Sequence, residues 1–282
     1  MKKSLKLIYS IALLICVAVT VSCAYGIQEG FGRKAPVEKR AKNLLDAGQI
    51  ELADSNNFSF ILISDVHFGA KLTRHDDAFF TAVQALEKRP DFCVVLGDVA
   101  EHGLEEEYVD FNNVIVAGLQ ALGIETYCTV GNHDLYNSGW ESYSKYNFPY
   151  TSFYKATGGN CSFYFIDSAS CTIGQPQFNA LENSFLADDA HKFIFTHVPL
   201  HADDTKYFVM QDTDERNELI SLFAQNNVEY FFAGHIHDLR STDFGAFFEE
   251  NVPAYLAQKG FEVCTVKNSP EFSVTNEVIY FF

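Results

Sequence analysis

Acidic, amide and imidazole side chains recur in five short blocks of this chain, and each block follows an apolar run. The blocks are Asp65-Val66-His67, Gly97-Asp98, Gly131-Asn132-His133-Asp134, His197 and Gly234-His235-Ile236-His237. Taken singly, each has a structural explanation, because Asp often caps helices and Gly-Asp or Gly-Asn pairs often form turns. Together, however, their carboxylate, amide and imidazole groups make up a set of metal ligands.

The apolar runs before these blocks predict the elements that position them. Predicted strands cover residues 58–63, 92–96, 126–130, 162–166, 193–196 and 229–233, with further strand-like runs at 246–248, 261–266 and 278–281. Helical spacing of apolar residues occurs at 79–86, 105–119 and about 215–224. Strands that alternate with helices predict a layered α/β fold.

The five blocks are expected to meet on one rim of the fold. In open α/β sheets the ligand site lies beyond the carboxyl ends of the strands. Collecting carboxylates and imidazoles in one place is costly unless a positive charge pairs with them. Metal ions supply that charge, and mixed oxygen and nitrogen ligands favour Mn, Fe, Zn or similar ions over Ca or Mg alone.

The complete series of blocks, in this order, resembles the calcineurin-like metallophosphoesterase family over residues 65–237. The resemblance implies a four-layer α/β/β/α sandwich in residues 58–282, with two sheets flanked by helices. It also implies hydrolysis of a phosphomonoester or a phosphodiester with two divalent or trivalent metal ions.

The resemblance further implies a role for each metal ligand. One metal ion would be held by Asp65, His67 and His237, and the other by Asn132, His197 and His235. Asp98 would bridge the two ions, since a carboxylate has two oxygens and a negative charge.

His133 resembles the catalytic histidine of the family, which stabilises the transition state or protonates the leaving oxygen. Asn132 and His133 are also the expected contacts to the substrate phosphate. Glu101 stands where the family often has an Asp that supports this histidine, so we expect Glu101 to take that role. The purple acid phosphatase branch has a Tyr at the same position, and we therefore expect no iron–tyrosinate. We expect Asp134 to support its loop.

The charge of the chain narrows the range of partners. The formal net charge is −17, and such a field repels nucleic-acid backbones. We therefore expect no nucleic-acid polymer as partner. The resemblance favours a phosphorylated small molecule, a nucleotide or a lipid as substrate, and nothing in the sequence indicates the oligomeric state.

The first residues predict export. Three lysines within the first six residues precede the uncharged, apolar run 7–21 and the small residues Ser22-Cys23-Ala24. This order is typical of a secretory signal peptide at residues 1–23, although an uncleaved membrane anchor is the alternative. Thr20-Val21-Ser22-Cys23 resembles a bacterial lipobox, with Thr where Leu is usual. We favour a lipid anchor on Cys23 over plain secretion, and hence the bacterial cell envelope, either periplasmic or membrane-anchored.

Several residues and segments outside the five blocks allow more than one interpretation. Residues 24–57 are interpreted as a tether with a short helix within 37–47. Cys161 and Cys171 could pair in an oxidising compartment. The aromatic stretch 140–150 could wall a substrate pocket or pack in the core, and His201 is interpreted as a solvated rim residue.

Two functions from other classes stay open. One is an envelope lipoprotein of the same fold that binds a phosphorylated ligand without turnover. The other is a structural or adhesive surface protein. The complete ligand set and His133 favour the hydrolase.

Overall fold

The structure is a computed structural model that describes residues 36–202 and 208–282. The predicted signal peptide and the predicted lipid attachment at Cys23 lie outside these residues. Within the two described ranges, no helix has both the length and the apolar content needed to cross a membrane.

The described chain alternates strands and helices in the predicted manner. The strands are β1 (Leu45–Gln49), β2 (Asn57–Ile63), β3 (Phe92–Leu96), β4 (Glu125–Thr129), β5 (Tyr154–Gly158), β6 (Cys161–Phe165), β7 (His191–Phe195), β8 (Val228–Ala233), β9 (Arg240–Asp243), β10 (Phe248–Asn251), β11 (Gly260–Lys267) and β12 (Ser273–Tyr280). The α-helices are α1 (Val37–Arg40), α2 (Asp76–Gln84), α3 (Glu105–Phe111), α4 (Ala117–Ala121), α5 (Trp140–Tyr146), α6 (Gly174–Phe185), α7 (Thr213–Ala224) and α8 (Tyr255–Gln258).

Two sheets are stacked with helices on their outer faces. One sheet has the strand order β12-β11-β2-β3-β4, and the other has the order β1-β5-β6-β7-β8-β10-β9. Strands β2, β3 and β4 run parallel, and so do β6, β7, β8 and β10. One apolar cluster lies between the two sheets, and one further cluster lies between each sheet and the helices on its outer face. The predicted four-layer α/β/β/α sandwich is therefore confirmed.

Aromatic rings fill the layer between the sheets. The ring of Phe60 stacks on Phe92 at a centroid distance of 4.8 Å within its own sheet. It meets the edges of Phe163 at 6.1 Å and of Phe195 at 5.7 Å from the other sheet. The central strands are buried on both faces, which explains why they appear in the sequence as continuous apolar runs.

One carboxyl group interrupts this apolar layer. Glu262 on β11 lies on the same strand face as Cys264 and Val266, which belong to the inter-sheet cluster. Its exposed fraction is 0%, and neither carboxyl oxygen has a hydrogen-bond partner within the described residues. Burial, and then the charge of Glu250, raise the pKa of Glu262 well above its ordinary range.

The segment interpreted as a tether is part of the domain from residue 36 onward. Strand β1 pairs in parallel with β5 at the edge of the larger sheet. Val37 and Ala41 are buried in the cluster beneath α6 and α7. Arg40 forms a buried ion pair with Asp167, at 2.6 Å between Nε and Oδ2. The interpretation was wrong here because β1 is largely exposed, so its residues carry no apolar signal.

Other local differences are smaller. The helix predicted within 37–47 ends at Arg40, and the helix predicted over 105–119 contains a π-helical segment at Asn112–Val116. Helix α6 and strands β5 and β9 were not predicted from the sequence. Cys161 and Cys171, whose pairing was left open, are not joined by a disulfide bond.

Candidate metal centre

All five predicted blocks lie at the carboxyl ends of strands. The blocks after β2, β3 and β4 come from the smaller sheet, and those after β7 and β8 come from the larger sheet. Backbone hydrogen bonds tie neighbouring loops together, since His67 N donates to Asp98 O at 2.9 Å and Gly234 N donates to His197 O at 2.9 Å. The five loops therefore lie together at one end of the two stacked sheets.

The backbone at five of the predicted ligands is left-handed. The φ angles are 54° at Asp65, 48° at His67, 49° at Asp98, 69° at His235 and 50° at His237. Such conformations are costly for residues that carry a Cβ atom and concentrate at functional sites. Here they turn the chain directly after each strand, which keeps the side chains at the strand end.

Glycines beside these residues allow the loops to approach one another. A Cβ atom on Gly131 would lie 2.1 Å from Asp98 N and 2.2 Å from Asp98 Oδ1. A Cβ atom on Gly234 would lie 1.7 Å from Ser64 Oγ. A larger residue at either position would push the ligand loops apart.

Asp65, His67 and His237 form a first group of ligand atoms. The Nε2 atoms of His67 and His237 are 3.4 Å apart, and Asp65 Oδ1 lies 3.1 Å from His237 Nε2 and 3.8 Å from His67 Nε2. Asp65 and His67 are buried, whereas the side chain of His237 is 43% exposed. This group can hold one metal ion that remains accessible from solvent.

Asp98, His197 and His235 form a second group. His197 Nε2 lies 3.3 Å from Asp98 Oδ2 and 3.0 Å from Oδ1 of Asn132. His197 Nδ1 lies 2.8 Å from the carbonyl oxygen of Leu96, which can only accept a hydrogen bond. His197 Nδ1 therefore carries a proton, and Nε2 is turned toward the other ligand atoms.

Asp98 lies between the two groups. Its Oδ2 atom is 3.3 Å from His197 Nε2 and 3.8 Å from His67 Nε2, which belong to different groups. Its Oδ1 atom accepts a hydrogen bond from His133 N at 2.8 Å. The predicted bridging residue thus occupies the position that a bridge requires.

The charges in the centre favour a cation. Burial would raise the pKa of Asp65, but the hydrogen bond from His237 and the charge of His197 lower it to about 2. Burial also opposes ionisation of Asp98, but the charge of His197 holds its pKa well below its usual range. Burial would lower the pKa of His197, yet Asp98 raises it to about 9. Burial and the charge of His197 lower the pKa of His235 to about 4. The carboxylates are thus ionised, and a metal ion could take the place of the histidine charge that pairs with them.

Glu101 does not contact His133 in the predicted way. His133 Nδ1 lies 2.8 Å from the backbone carbonyl oxygen of Glu101, whereas the carboxylate oxygen Oε2 is 3.8 Å away. That Oε2 atom lies 2.9 Å from Nδ1 of His67, although without the alignment of a hydrogen bond. Glu is one methylene longer than the usual Asp, so its carboxylate reaches beyond His133 to a metal-ligand histidine.

Asp134 holds the loops around the centre. Its carboxylate accepts hydrogen bonds from Ala100 N at 2.9 Å and Gly131 N at 2.8 Å, and from the Tyr108 hydroxyl at 3.3 Å. Burial and the charge of Asp98 raise its pKa to about 7. These contacts agree with the supporting role expected for Asp134.

The aromatic stretch 140–150 divides between core and surface. Tyr143 is fully buried, and Trp140 stacks on it at 5.8 Å in the cluster of the outer helices. Phe148 and Tyr150 are exposed, and the ring of Phe148 contacts both Tyr150 and Tyr127 of the edge strand β4. His201 contributes its backbone N–H to Glu249 Oε1 at 3.1 Å.

Sequence reasoning missed three side chains that touch the centre. Ser64 donates a hydrogen bond of 2.5 Å to Asp65 Oδ2, and only its place beside Asp65 could have indicated this. Tyr136 and Phe208 lie against His133 and His235. Nothing in the sequence brings Phe208 near residue 235.

Comparisons with known proteins agree with this geometry. A profile of the calcineurin-like phosphoesterase family matches residues 58–239. A dimetal phosphatase from Danio rerio is similar in structure, with a TM-score of 0.62, 16% identity, and coverage of 80% of this chain and 99% of that one. GAP50, the anchor in the inner membrane complex of Plasmodium, has a TM-score of 0.60, 13% identity, and coverage of 79% and 84%. A 5'-nucleotidase precursor from Thermus thermophilus has a TM-score of 0.51, 13% identity, and coverage of 80% and 54%.

Comparison with curated protein sequences gave no match. At the identities above, likeness to the solved structures shows a shared fold. Because the family profile spans well over half of the 282 residues, this chain belongs to the calcineurin-like phosphoesterase family.

Proposed function

We propose that this chain hydrolyses phosphoric esters with two metal ions held by the two ligand groups. The observation that carries the proposal is the position of Asp98, whose Oδ2 atom lies within 3.8 Å of a histidine from each group. Asp65, His67 and His237 would hold one ion, and Asn132, His197 and His235 the other. Mixed oxygen and nitrogen ligands favour Mn, Fe, Zn or similar ions.

The side chains fit such ions. Among the described residues, the hydrogen bonds to the carboxylates of Asp65 and Asp98 come from Ser64, from histidines and from backbone N–H groups, and none comes from Lys or Arg. Two imidazole nitrogens and a carboxylate oxygen lie within 3.8 Å of one another in the first group. A metal ion can accept lone pairs from all three atoms.

The chain's own residues supply the remaining chemistry. When bound, the metal ions would acidify water and polarise the phosphate. His133 keeps its Nδ1 proton on the Glu101 carbonyl, so its other nitrogen, Nε2, is directed away from that anchor. The side chain of His133 is 27% exposed and can reach an ester oxygen. We assign to it protonation of the leaving oxygen, and to Asn132 and His133 together the orientation of the phosphate.

The carboxylate of Glu101 positions His67 in this proposal. A carboxylate near the non-ligating nitrogen of a metal-bound histidine fixes the tautomer and makes the ligating nitrogen more basic. The distance of 2.9 Å from Glu101 Oε2 to His67 Nδ1 suits that role. His67 Nε2 is then left for the metal ion.

A binding protein without turnover is the second candidate. It is favoured by one finding, namely that the similar Plasmodium protein is described as an anchor. The complete ligand set and the placement of His133 favour the hydrolase, because binding alone does not require a proton donor.

Hydrolysis of p-nitrophenyl phosphate and bis(p-nitrophenyl) phosphate tests the proposal. The purified protein is assayed with Mn²⁺ and with chelator, beside Asp98→Asn and His133→Ala. His191→Ala is the matched control, because its side chain is 29% exposed and starts β7 at the strand end away from the centre. We expect metal-dependent turnover that both site variants lose and the control keeps. Two bound metal ions without turnover of either ester would favour the binding protein.

We also propose that the protein is exported to the bacterial cell envelope and carries lipid on Cys23. The support is the order of lysines, apolar run and small residues at its start. The mass of the mature amino-terminal peptide tests this, and an unmodified Cys23 or another cleavage site would refute the lipid anchor.

A further inference from the structure

Two aromatic rings lie against the outer histidines of the metal centre. The ring of Phe208 is 5.8 Å from that of His235, with an interplanar angle of 64°. The ring of Tyr136 is 4.7 Å from that of His133, with an angle of 44°. Phe208 is 43% exposed although it is wholly apolar.

The position of Phe208 is fixed by its neighbours. Val209 and Met210 are buried, and Met210 N donates to Pro199 O at 2.9 Å. Gln211 N donates to Cys171 O at 2.9 Å. The backbone is thus anchored on its buried side while the ring of Phe208 stays exposed beside a metal ligand. An exposed apolar ring beside these histidines offers a surface that an apolar group of a bound ligand can cover.

The position of Tyr136 is held by a strained turn. The two residues that follow it, Asn137 and Ser138, have φ angles of 50° and 64°. A Cβ atom on Gly103 would lie 2.3 Å from the carbonyl oxygen of Tyr136, which also accepts a hydrogen bond of 2.7 Å from Gly139 N. Strain of this kind persists only where the surroundings impose it, and it concentrates at binding sites.

The two rings lie at opposite ends of one chain of side-chain contacts. From Tyr136 the contacts run through His133 to His67, whose rings are 4.8 Å apart. From Phe208 they run through His235 to His197, whose rings are 5.0 Å apart. Asp98 joins the two halves. A phosphate at the centre would therefore have an aromatic ring toward either end.

We propose that Phe208 and Tyr136, one at either end of the centre, each offer a ring to a planar aromatic group esterified to the phosphate, so that this site prefers aryl or heteroaryl esters to small alkyl esters. The inference rests on the proposed function, because it assumes that the centre holds a phosphoryl group. Contact between aromatic rings adds about 2- to 10-fold in affinity for each pair. The two rings act as specificity-determining residues, and neither takes part in proton transfer.

Binding of phosphonates to the Mn²⁺-loaded protein tests this inference without turnover. Affinities for phenylphosphonate and methylphosphonate are measured by calorimetry, and the bound metal is counted in each variant. We expect the wild type to prefer phenylphosphonate. The double variant Phe208→Ala/Tyr136→Ala should lower the affinity for phenylphosphonate by about 2- to 10-fold and leave that for methylphosphonate within about 2-fold, and the single variants show which ring the phenyl group contacts. Phe208→Leu, which keeps apolar bulk without a flat ring, should fall between.

Phe248→Ala is the matched control, because Phe248 is 40% exposed and starts β10. It should change neither affinity. Equal affinities of the wild type for the two phosphonates would overturn the inference, and so would an equal loss of both in Phe208→Ala. A phenyl preference without any ester hydrolysis would sink the proposed function alone, whereas hydrolysis without that preference would sink only this inference.

Discussion

Replacing Glu262 by Gln tests how the buried carboxyl between the sheets affects stability. The carboxyl has an exposed fraction of 0% and no hydrogen-bond partner within the described residues, so it stays protonated in the folded chain. Burial raises its pKa well above the ordinary value of 4.5, whereas the unfolded chain ionises near that value. Below the unfolded pKa both states hold the proton. As the pH rises above it, only the unfolded state loses the proton, and the unfolded state is thereby stabilised relative to the folded state.

The expected effect is a dependence of the free energy of unfolding on pH. While the folded carboxyl stays protonated, the free energy of unfolding falls by about 1.4 kcal/mol for each pH unit because of this group. Gln has the same shape and no proton to lose. For each pH unit above about 5.5 in which the folded carboxyl keeps its proton, Glu262→Gln should therefore gain about 1.4 kcal/mol on the wild type. Any constant offset from the new amide leaves this slope unchanged.

Urea unfolding at several pH values, with the same excess of metal ion, measures the slope. Glu277→Gln is the control, because it makes the same charge change at an exposed position on the neighbouring strand β12. Its stability should follow the wild type at every pH. If the lines for Glu262→Gln and the wild type are parallel, Glu262 is ionised in the folded protein and the reasoning from burial is wrong.

Three further predictions follow from other parts of the structure. Gly131→Ala should lower metal content and ester hydrolysis by about 10- to 100-fold with little change in circular dichroism, because its Cβ atom would meet Asp98 N at 2.1 Å. Arg40→Met should lower the free energy of unfolding by about 3–5 kcal/mol, since Asp167 would stay buried and unpaired, and adding Asp167→Leu should restore most of that loss in urea unfolding. Removing the metal ions with chelator should lower the melting temperature, because each ion present at 100 times its Kd contributes about 2.7 kcal/mol of stability, and an unchanged melting curve would contradict a metal site.

The sequence predicted the parts of the fold that are buried on both faces. Strand β3, Phe-Cys-Val-Val-Leu, is wholly buried, and its apolar run located it without error. Strand β1 and helix α6 were missed for the opposite reason. The edge strand is mostly exposed, and α6 buries only Gln177, Leu181 and Phe185 among its 12 residues, so neither shows a clear apolar period.

The residues of the candidate site were also predicted only in part from the sequence. The ligand blocks were recognisable because each directly follows a strand, so that local order along the chain decides their place. The contact of Glu101 with His67 depends on the reach of one side chain across a loop, which spacing does not encode. Phe208 lies 27 positions before His235 in the sequence and meets it only through the packing of separate loops.

The left-handed backbone at five of the proposed ligands affects how the sequence of such a chain can evolve. Each left-handed residue costs about 1 kcal/mol relative to glycine, which adopts this conformation freely. Exchanging His237 for glycine would thus relieve backbone strain and at the same time remove a ligand. A descendant with no use for the centre would gain stability by losing its ligands one at a time. This chain has Asp or His at all five positions, so the folded protein is less stable than the same fold could be with glycine there.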